Sequence, residues 1–141
     1  MADLDISIKD TTPEMQTKLN EAIARALEKI GITAQGYATL LCRVDTGRLR
    51  NSITYATTSK QGKPNTSRGK NKHGQPMAQA EPADYAMHGK PEDTEVVIGT
   101  NVEYARKVEQ NIKAFLKPAI ENHISEYQKI FAQELGTLSG D

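Results

Sequence analysis

The amino-acid sequence predicts an α+β fold in which two long helices pack on one face of a small antiparallel β-sheet with a long β-hairpin loop. Apolar residues recur at intervals of three and four over residues 13–42 and again over 115–135, which is the spacing of amphipathic helices. Between them, residues 52–100 contain two segments rich in β-branched residues, separated by a polar stretch at 59–82. Helices and strands with one apolar face each are expected to pack in layers, which gives this fold class.

The N-terminal part of the chain predicts a short strand and then the first long helix. Residues 5–10 alternate between apolar and polar side chains, as in a strand. Thr12 is a favourable N-cap, and Pro13 suits the first helical position. The apolar stripe keeps its phase through Gly31 and Gly36, so we expect one continuous helix rather than two.

A turn and two strands are predicted after this helix. Asp45 and Thr46 favour the cap of a short helical turn, and Gly47 permits a tight backbone. Segments 52–58 and 95–100 are rich in residues that favour strands. We therefore expect these two segments to pair with each other across the polar stretch between them.

The C-terminal part predicts a short helix and then the second long helix. Asn101 is a candidate N-cap for the short helix. Proline is tolerated in the first turn of a helix, so Pro118 indicates that the second long helix begins near Phe115. Gly136 suits a helix C-terminus, and residues 137–141 are expected to be a frayed tail.

Length and composition indicate one domain, residues 1–141, with a thin core. Apolar residues make up 37% of the 141, which is low for a globular protein, and thin cores are often completed by partner subunits. One cysteine excludes an internal disulfide framework. The sequence contains no apolar run of about 20 residues and no signal-peptide pattern. We therefore expect an intracellular protein that does not bind membranes.

The charges are segregated along the chain, although 18 basic and 18 acidic residues cancel overall. Residues 1–58 hold seven of each, residues 59–80 hold five bases and no acid, and residues 81–141 hold eleven acids and six bases. A neutral total therefore hides a basic block and an acidic block. This distribution suits contact between copies of the same chain.

Residue types that carry catalysis are few and scattered. His73, His88 and His123 have no partner at metal-ligand spacing, and Cys42 lies on the apolar side of the predicted helix end. The sequence contains neither a phosphate-binding glycine loop nor a nucleophile elbow. We expect a protein that is not an enzyme and that needs neither a cofactor nor a metal.

The polar stretch at 59–82 is the clearest candidate for binding. Three interpretations remain open at this point: a solvated flexible loop, a surface that contacts DNA phosphates, and a surface that binds an acidic partner protein. The stretch has no aromatic residue on which bases could stack, which argues against sequence-specific recognition. Its basic residues are Lys60, Lys63, Arg68, Lys70 and Lys72.

Arg48 and Arg50 flank Leu49 in the predicted short helix. They are interpreted either as part of a solvated helix face or as ion-pairing groups at a subunit boundary, where the planar guanidinium favours bidentate contacts.

Three segments together resemble one protein family. Residues 44–53 read V-D-T-G-x-L-x-x-S-I, residues 97–109 contain G-x-x-x-x-Y-A-x-x-V-E, and residues 114–120 contain F-L-x-P-A. In this order, after a long helix, they are similar to the small neck or head–tail joining proteins of long-tailed phages and prophages. This gene-product-ten-like family is often labelled minor tail components. The matching positions are Asp45, Thr46, Gly47, Leu49, Ser52, Gly99, Tyr104, Glu109, Phe115, Leu116 and Pro118.

Two positions depart from the family pattern. The family usually has proline two residues before the aspartate, where this chain has Arg43. It also has a longer connection, with a glycine after V-E, than the one between Glu109 and Phe115 here.

The resemblance implies a virion protein that forms a homo-oligomeric ring at the head–tail junction. Its expected neighbours are head-completion proteins and tail-terminator or tail-tube proteins, and its channel would conduct double-stranded DNA without sequence specificity. Arg48, Arg50 and the loop cations are the candidates for intersubunit or DNA-facing charge, and Tyr104, Phe115 and Leu116 for anchoring the C-terminal helix. The alternative is a stand-alone DNA-binding accessory protein that acts through residues 60–73.

Overall fold

A computed structural model describes residues 12–86 and 91–136. The predicted strand at 5–10 and the predicted tail at 137–141 lie outside the described residues. The helices are α1 (Pro13–Leu41), α2 (Arg48–Ser52), α3 (Pro82–Tyr85), α4 (Ala105–Lys107), α5 (Leu116–Glu121) and α6 (Ile124–Gly136), and a π-helical turn (Val108–Ile112) directly follows α4. The strands are β1 (Thr54–Ala56) and β2 (Val97–Gly99).

The two strands form a small antiparallel sheet, as predicted. Thr54 lies opposite Gly99, and Ala56 lies opposite Val97. The combination of one long helix, shorter helices and this sheet confirms the mixed helix-and-sheet class.

The first long helix is confirmed almost to its bounds. The Thr12 hydroxyl accepts a hydrogen bond from the Met15 amide at 3.1 Å, and the helix runs 29 residues from Pro13. The helix continues through Gly31. The Tyr55 ring packs directly on this glycine, and a Cβ there would lie 2.5 Å from a ring carbon. α1 therefore keeps a poor helix former where the Tyr55 side chain of β1 packs against it.

The expectation of a second long helix over 115–135 is not confirmed. The chain turns at Asn122 and His123, between α5 and α6. The His123 ring stacks on Tyr37 of α1 with ring centroids 3.5 Å apart, and the Tyr127 hydroxyl donates to the Ala119 carbonyl at 2.5 Å. These tertiary contacts stabilise a corner that helix periodicity does not indicate.

The shorter C-terminal helix packs against α1. Its Glu134 carboxylate pairs with Arg25, at 3.3 Å, and with Lys29. Near its other end, Glu126 accepts a hydrogen bond from the Tyr37 hydroxyl at 2.5 Å. Because Glu134 meets the earlier turns of α1 and Glu126 a later one, the two helices run antiparallel.

The main hydrophobic cluster lies at the C-terminal end of α1, and further buried apolar residues, among them Leu19 and Leu27, lie along the earlier turns of this helix. Half of the buried members of this cluster are alanine or cysteine, and Phe115 is its one fully buried aromatic residue among those described. The buried members are Ala38, Cys42, Leu49, Ile53, Val102, Ala105, Phe115 and Ala119.

The polar loop is hydrogen-bonded to the body of the protein. Its first turn folds back on β1, where the Gly62 amide donates to the Tyr55 carbonyl at 2.8 Å. Farther along, the side chain of Asn65 donates to Thr39 of α1 at 2.7 Å and to the Arg50 carbonyl at 3.0 Å. The loop therefore lies against α1 and α2, where its cations have defined positions.

The short helix begins later than Asn101 because that residue has another role. The Asn101 amide donates to the Asp84 carbonyl at 2.8 Å, and its side chain donates to carbonyls of Ala83 and Ala86. Asn101 thus joins the end of β2 to α3, and the helical turn starts at Ala105.

Candidate functional site

The turn before α2 is built around Gly47. Its φ angle is +103°, in the left-handed region that glycine adopts readily. A Cβ at this position would lie 2.9 Å from the Met77 side chain, and the Ala78 amide donates to the Thr46 carbonyl at 2.8 Å. The Thr46 hydroxyl also accepts a hydrogen bond from the Arg48 amide at 3.3 Å. The glycine lets the returning loop pack directly on the start of α2.

Arg48 lies in a network of charges within the chain. Its guanidinium donates to both oxygens of Asp84, at 3.1 and 2.7 Å, and to Glu103 at 3.2 and 3.3 Å. It lies 5.9 Å from the centroid of the Tyr104 ring. Asp84 is buried, with 4% of its surface exposed. The bidentate hydrogen bonds from Arg48 lower the pKa of the Asp84 carboxyl.

Arg50, two residues later, has no such partner. Its Nε atom is buried without a hydrogen bond, and no ion pair joins its guanidinium to a carboxylate among the described residues. A buried donor without an acceptor is costly. Arg50 is therefore the more available of the two α2 arginines for a group from outside the chain.

A cleft of about 320 Å³ opens beside Arg50, and we refer to it as the cationic cleft. Its apolar lining consists of Leu49, Tyr104, Val108 and Ile112. Its basic lining consists of Arg43, Arg50, Lys72 and Lys107.

Among the described residues, Asp45 is the one acid in this lining, and it is already paired. Its carboxylate contacts His73 Nε2 at 2.5 Å and Lys72 Nζ at 3.5 Å. The hydrogen bond to His73 is the main reason why the pKa of Asp45 is lowered. The cleft therefore carries a surplus of positive charge.

A second, more open depression of about 550 Å³ adjoins the cleft, and we call it the basic depression. Arg50 and Lys72 line both, and Arg68 and Lys70 complete the basic side chains of the depression. No acidic residue of the described ranges lines it. Three of the five predicted loop cations therefore meet at one surface with Arg50.

The other two loop cations lie elsewhere. Lys60 pairs with Glu28 of α1 at 3.1 Å. Lys63 lines neither the cleft nor the depression, and its backbone carbonyl accepts a hydrogen bond from Gln35. The basic surface therefore includes three of the five cations of the loop.

Several motif residues of the C-terminal half cap or pack the start of α5. Glu109 caps α5: its Oε1 accepts hydrogen bonds from the amides of Phe115, at 3.0 Å, and Leu116, at 2.7 Å. Phe115 is fully buried, Leu116 packs against the core, and Pro118 lies in the first turn of α5. Tyr104 is 37% exposed and lines the cationic cleft, and its role as an anchor of the C-terminal helix stays a prediction.

The remaining motif positions join α2 to the sheet. The Ser52 hydroxyl donates to the Leu49 carbonyl at 2.6 Å and lies 2.5 Å from the Thr100 hydroxyl. Gly99 pairs with Thr54 in the sheet.

Asn51 and Asn71 position the loop, and sequence reasoning did not find them. Asn51 is fully buried; its side chain donates to the Ala78 carbonyl at 2.9 Å and accepts from the Ser67 amide at 2.9 Å. Asn71 donates to the Thr46 carbonyl at 3.2 Å. The available signal for Asn71 was its place in a stretch whose one large apolar residue is Met77, since such a stretch needs side-chain hydrogen bonds to pack. Asn51 lies outside that stretch, and its sequence surroundings gave no such signal.

The described residues show no group of three or more potential metal ligands. Cys42 is buried in the core, as expected, and burial raises the pKa of its thiol to about 11, so it is a neutral thiol at pH 7. No helix among residues 12–86 and 91–136 is long and apolar enough to cross a membrane.

The fold and the site together define a small α+β protein with an amphipathic cationic cleft and an adjoining basic depression. No protein-family model, curated protein or solved structure matches this chain.

Proposed function

We propose that the chain is a structural protein of the neck of a tailed phage or prophage. Identical copies would form a ring between head-completion proteins and tail-terminator or tail-tube proteins, around a channel for double-stranded DNA. The proposal starts from the resemblance of segments 44–53, 97–109 and 114–120 to neck proteins. The geometric observation that supports it is the position of these segments in the fold.

The three segments meet in one core cluster, although they are far apart in the sequence. The first contributes Leu49 and Ile53, the second Val102 and Ala105, and the third Phe115 together with Ala119. Side chains that bury one another must be compatible in size and position. Because the three segments pack on one another, the resemblance in all three is what we would expect of proteins that share one fold.

The surface is consistent with an assembly role. The basic depression presents Arg50, Arg68, Lys70 and Lys72, and no acid from the described part of the chain lines it. Such a surface suits either a phosphate backbone or an acidic protein neighbour. The same depression favours the alternative, a stand-alone DNA-binding protein, because phosphate contacts alone give sequence-independent affinity.

The proposal is tested by deleting the gene from the phage or prophage that encodes it and examining the lysate by electron microscopy. We expect separate heads and tails, joined again when the wild-type gene is supplied in trans. A tagged copy should be located at the neck of joined particles. Normal yields of tailed particles from the deletion strain would contradict the proposal.

A salt titration distinguishes the stand-alone DNA-binding protein from the neck protein. A stand-alone DNA-binding protein should bind duplex DNA as a purified monomer at physiological salt, with a steep dependence of log affinity on log salt. A neck protein should bind free duplex weakly, because its phosphate contacts depend on the assembled ring. The Arg68→Ala/Lys70→Ala variant reports on the depression, and Lys18→Ala/Lys129→Ala is a matched control on other surfaces.

A further inference from the structure

We propose that the cationic cleft of one copy binds the acidic turn of a second copy, residues 91–97, in a head-to-tail contact. This contact rests on the ring proposed above and specifies which surfaces join. Three observations carry it: the unsatisfied cations of the cleft, its apolar lining, and the composition of the turn.

Positive charge in the cleft is not neutralised by the residues that the structure describes. Asp45 is engaged by His73 and Lys72, and Glu109, which caps α5, does not line the cleft. Among the described residues, no carboxylate pairs with the three remaining basic side chains, those of Arg43, Arg50 and Lys107. An acidic segment from outside would supply the missing partners.

The apolar lining makes a protein segment a better occupant than DNA. Ile112 is 50% exposed and Tyr104 is 37% exposed, although both line a concave site. An aliphatic side chain would cover them, whereas a phosphate backbone would leave them in contact with polar atoms. The cleft thus fits a segment that carries carboxylates beside an aliphatic residue.

The turn before β2 has this composition. Glu92, Asp93 and Glu95 are exposed, and none of them forms an ion pair within the described part of the chain. The turn is shaped by a hydrogen bond of 2.8 Å from the Glu92 amide to the Glu95 carboxylate. Val97 follows and is 44% exposed. Three carboxylates and one aliphatic side chain therefore match three cations and an apolar floor.

The cleft and the turn share no residue, so the contact joins two different surfaces. A contact of this kind is heterologous: each copy uses its cleft for one neighbour and its turn for the other. It closes into a ring when the rotation between neighbours allows it. Charge complementarity between the surfaces would steer the copies into register.

Association in solution tests the charges. The cleft variant carries Arg43→Glu, Arg50→Glu and Lys107→Glu, and the turn variant carries Glu92→Lys, Asp93→Lys and Glu95→Lys. By sedimentation velocity at low ionic strength, we expect each variant to associate about a hundredfold more weakly than wild type. The chain with all six reversals has the wild-type net charge and should regain association. If the triple cleft variant does not fold, Arg43→Glu/Lys107→Glu, which retains Arg50, replaces it.

A matched control separates this contact from net charge. Lys18→Glu/Lys63→Glu/Lys129→Glu changes the net charge as much as the cleft variant does but leaves the cleft intact. It should associate within a few-fold of wild type. Equal weakening by the control and the cleft variant, or failure of the six-fold reversal to restore association, would overturn the proposed contact.

Disulfide trapping tests the contact in the assembly. Ile112→Cys places a thiol at the cleft and Asp93→Cys places one on the turn, while Cys42 remains buried. We expect oxidation to join these positions between neighbouring copies, both in concentrated solution and in tailed particles. The pair Lys18→Cys and Asp93→Cys should not cross-link.

The outcomes distinguish the two proposals. Suppose that the protein is found at the neck of tailed particles, but the cross-link between positions 112 and 93 forms neither in these particles nor in concentrated solution. This result would overturn the contact and leave the neck function standing. Absence of the protein from tailed particles would overturn the neck function. A cleft variant that loses duplex affinity and retains self-association would overturn the contact in favour of a DNA-facing cleft.

Discussion

Arg48 and Arg50 lie two residues apart on α2, and their surroundings are opposite. Arg48 donates four hydrogen bonds to Asp84 and Glu103, whereas the Nε of Arg50 is buried without an acceptor. On a helix, residues two positions apart do not share a face. One face of α2 therefore joins the helix to α3 and to the turn before α4, and the other face lines the cationic cleft. The comparison separates a structural arginine from one that is available for binding.

Removal of the buried partner of Arg48 should have the largest effect. Asp84→Ala removes the bidentate pair and also the acceptor of the Glu81 amide at the start of α3. We expect a loss of about 3 kcal/mol in the free energy of unfolding, measured by urea titration, because several hydrogen bonds to one buried carboxylate are lost together.

The exposed partner provides the control. Glu103→Ala removes the other carboxylate of the network, whose side chain is 74% exposed. Exposed ion pairs contribute little, so its unfolding midpoint should stay near that of wild type. Equal losses from Asp84→Ala and Glu103→Ala would show that burial does not distinguish the two halves of the network.

The helix cap beside the cleft should have an intermediate effect. Glu109→Ala removes the acceptor of the Phe115 and Leu116 amides, and loss of a capping side chain costs about 1 kcal/mol. A urea titration should detect this loss. Glu121→Ala, at the opposite end of α5, is a matched control that should change little, because Glu121 is exposed and its ion pair with Lys117 is long, at 4.0 Å. An unchanged midpoint for Glu109→Ala would mean that Glu109 is free to neutralise the cleft.

The pH dependence of the unfolding free energy should report on the ion pair between Arg48 and Asp84. Arg48 lowers the pKa of Asp84 below its unfolded value, which is about 3.9. The pair therefore stabilises the fold above about pH 4, and this contribution is lost as the pH falls through the folded-state pKa. The difference in unfolding free energy between wild type and Asp84→Asn should shrink between about pH 5 and pH 3. A difference independent of pH over this range would contradict the ion pair.

The sequence predicts those features that depend on residues close together in the chain, and it does not predict those that depend on contacts between distant residues. The bounds of α1 follow from Thr12, Pro13 and a periodic stripe, which are local features, and the structure reproduces them within one residue. The break at Asn122 depends on the stack of His123 on Tyr37 from another helix. Such a contact leaves no periodic signal in the segment that it bends.

The candidate site shows the same limit. Local sequence indicates that α2 and the loop are basic, and Arg50, Arg68, Lys70 and Lys72 do meet at one surface. The partner of Arg48 lies 36 residues away, and Lys60 reaches back to Glu28 of α1. Which cations are neutralised is a property of the tertiary fold, so charge counting along the chain overstates the basic surface.

Substitution of Arg50 should have the smallest effect on stability. Arg50→Ala removes a guanidinium whose Nε is buried and unpaired, so no native hydrogen bond from that atom is lost. We expect an unfolding free energy within about 0.5 kcal/mol of wild type by urea titration, together with weaker self-association by sedimentation. Arg50→Lys keeps the charge without the planar fork and should retain part of the association. A loss of stability as large as that of Asp84→Ala would place Arg50 in an internal network and remove the contrast between the two faces of α2.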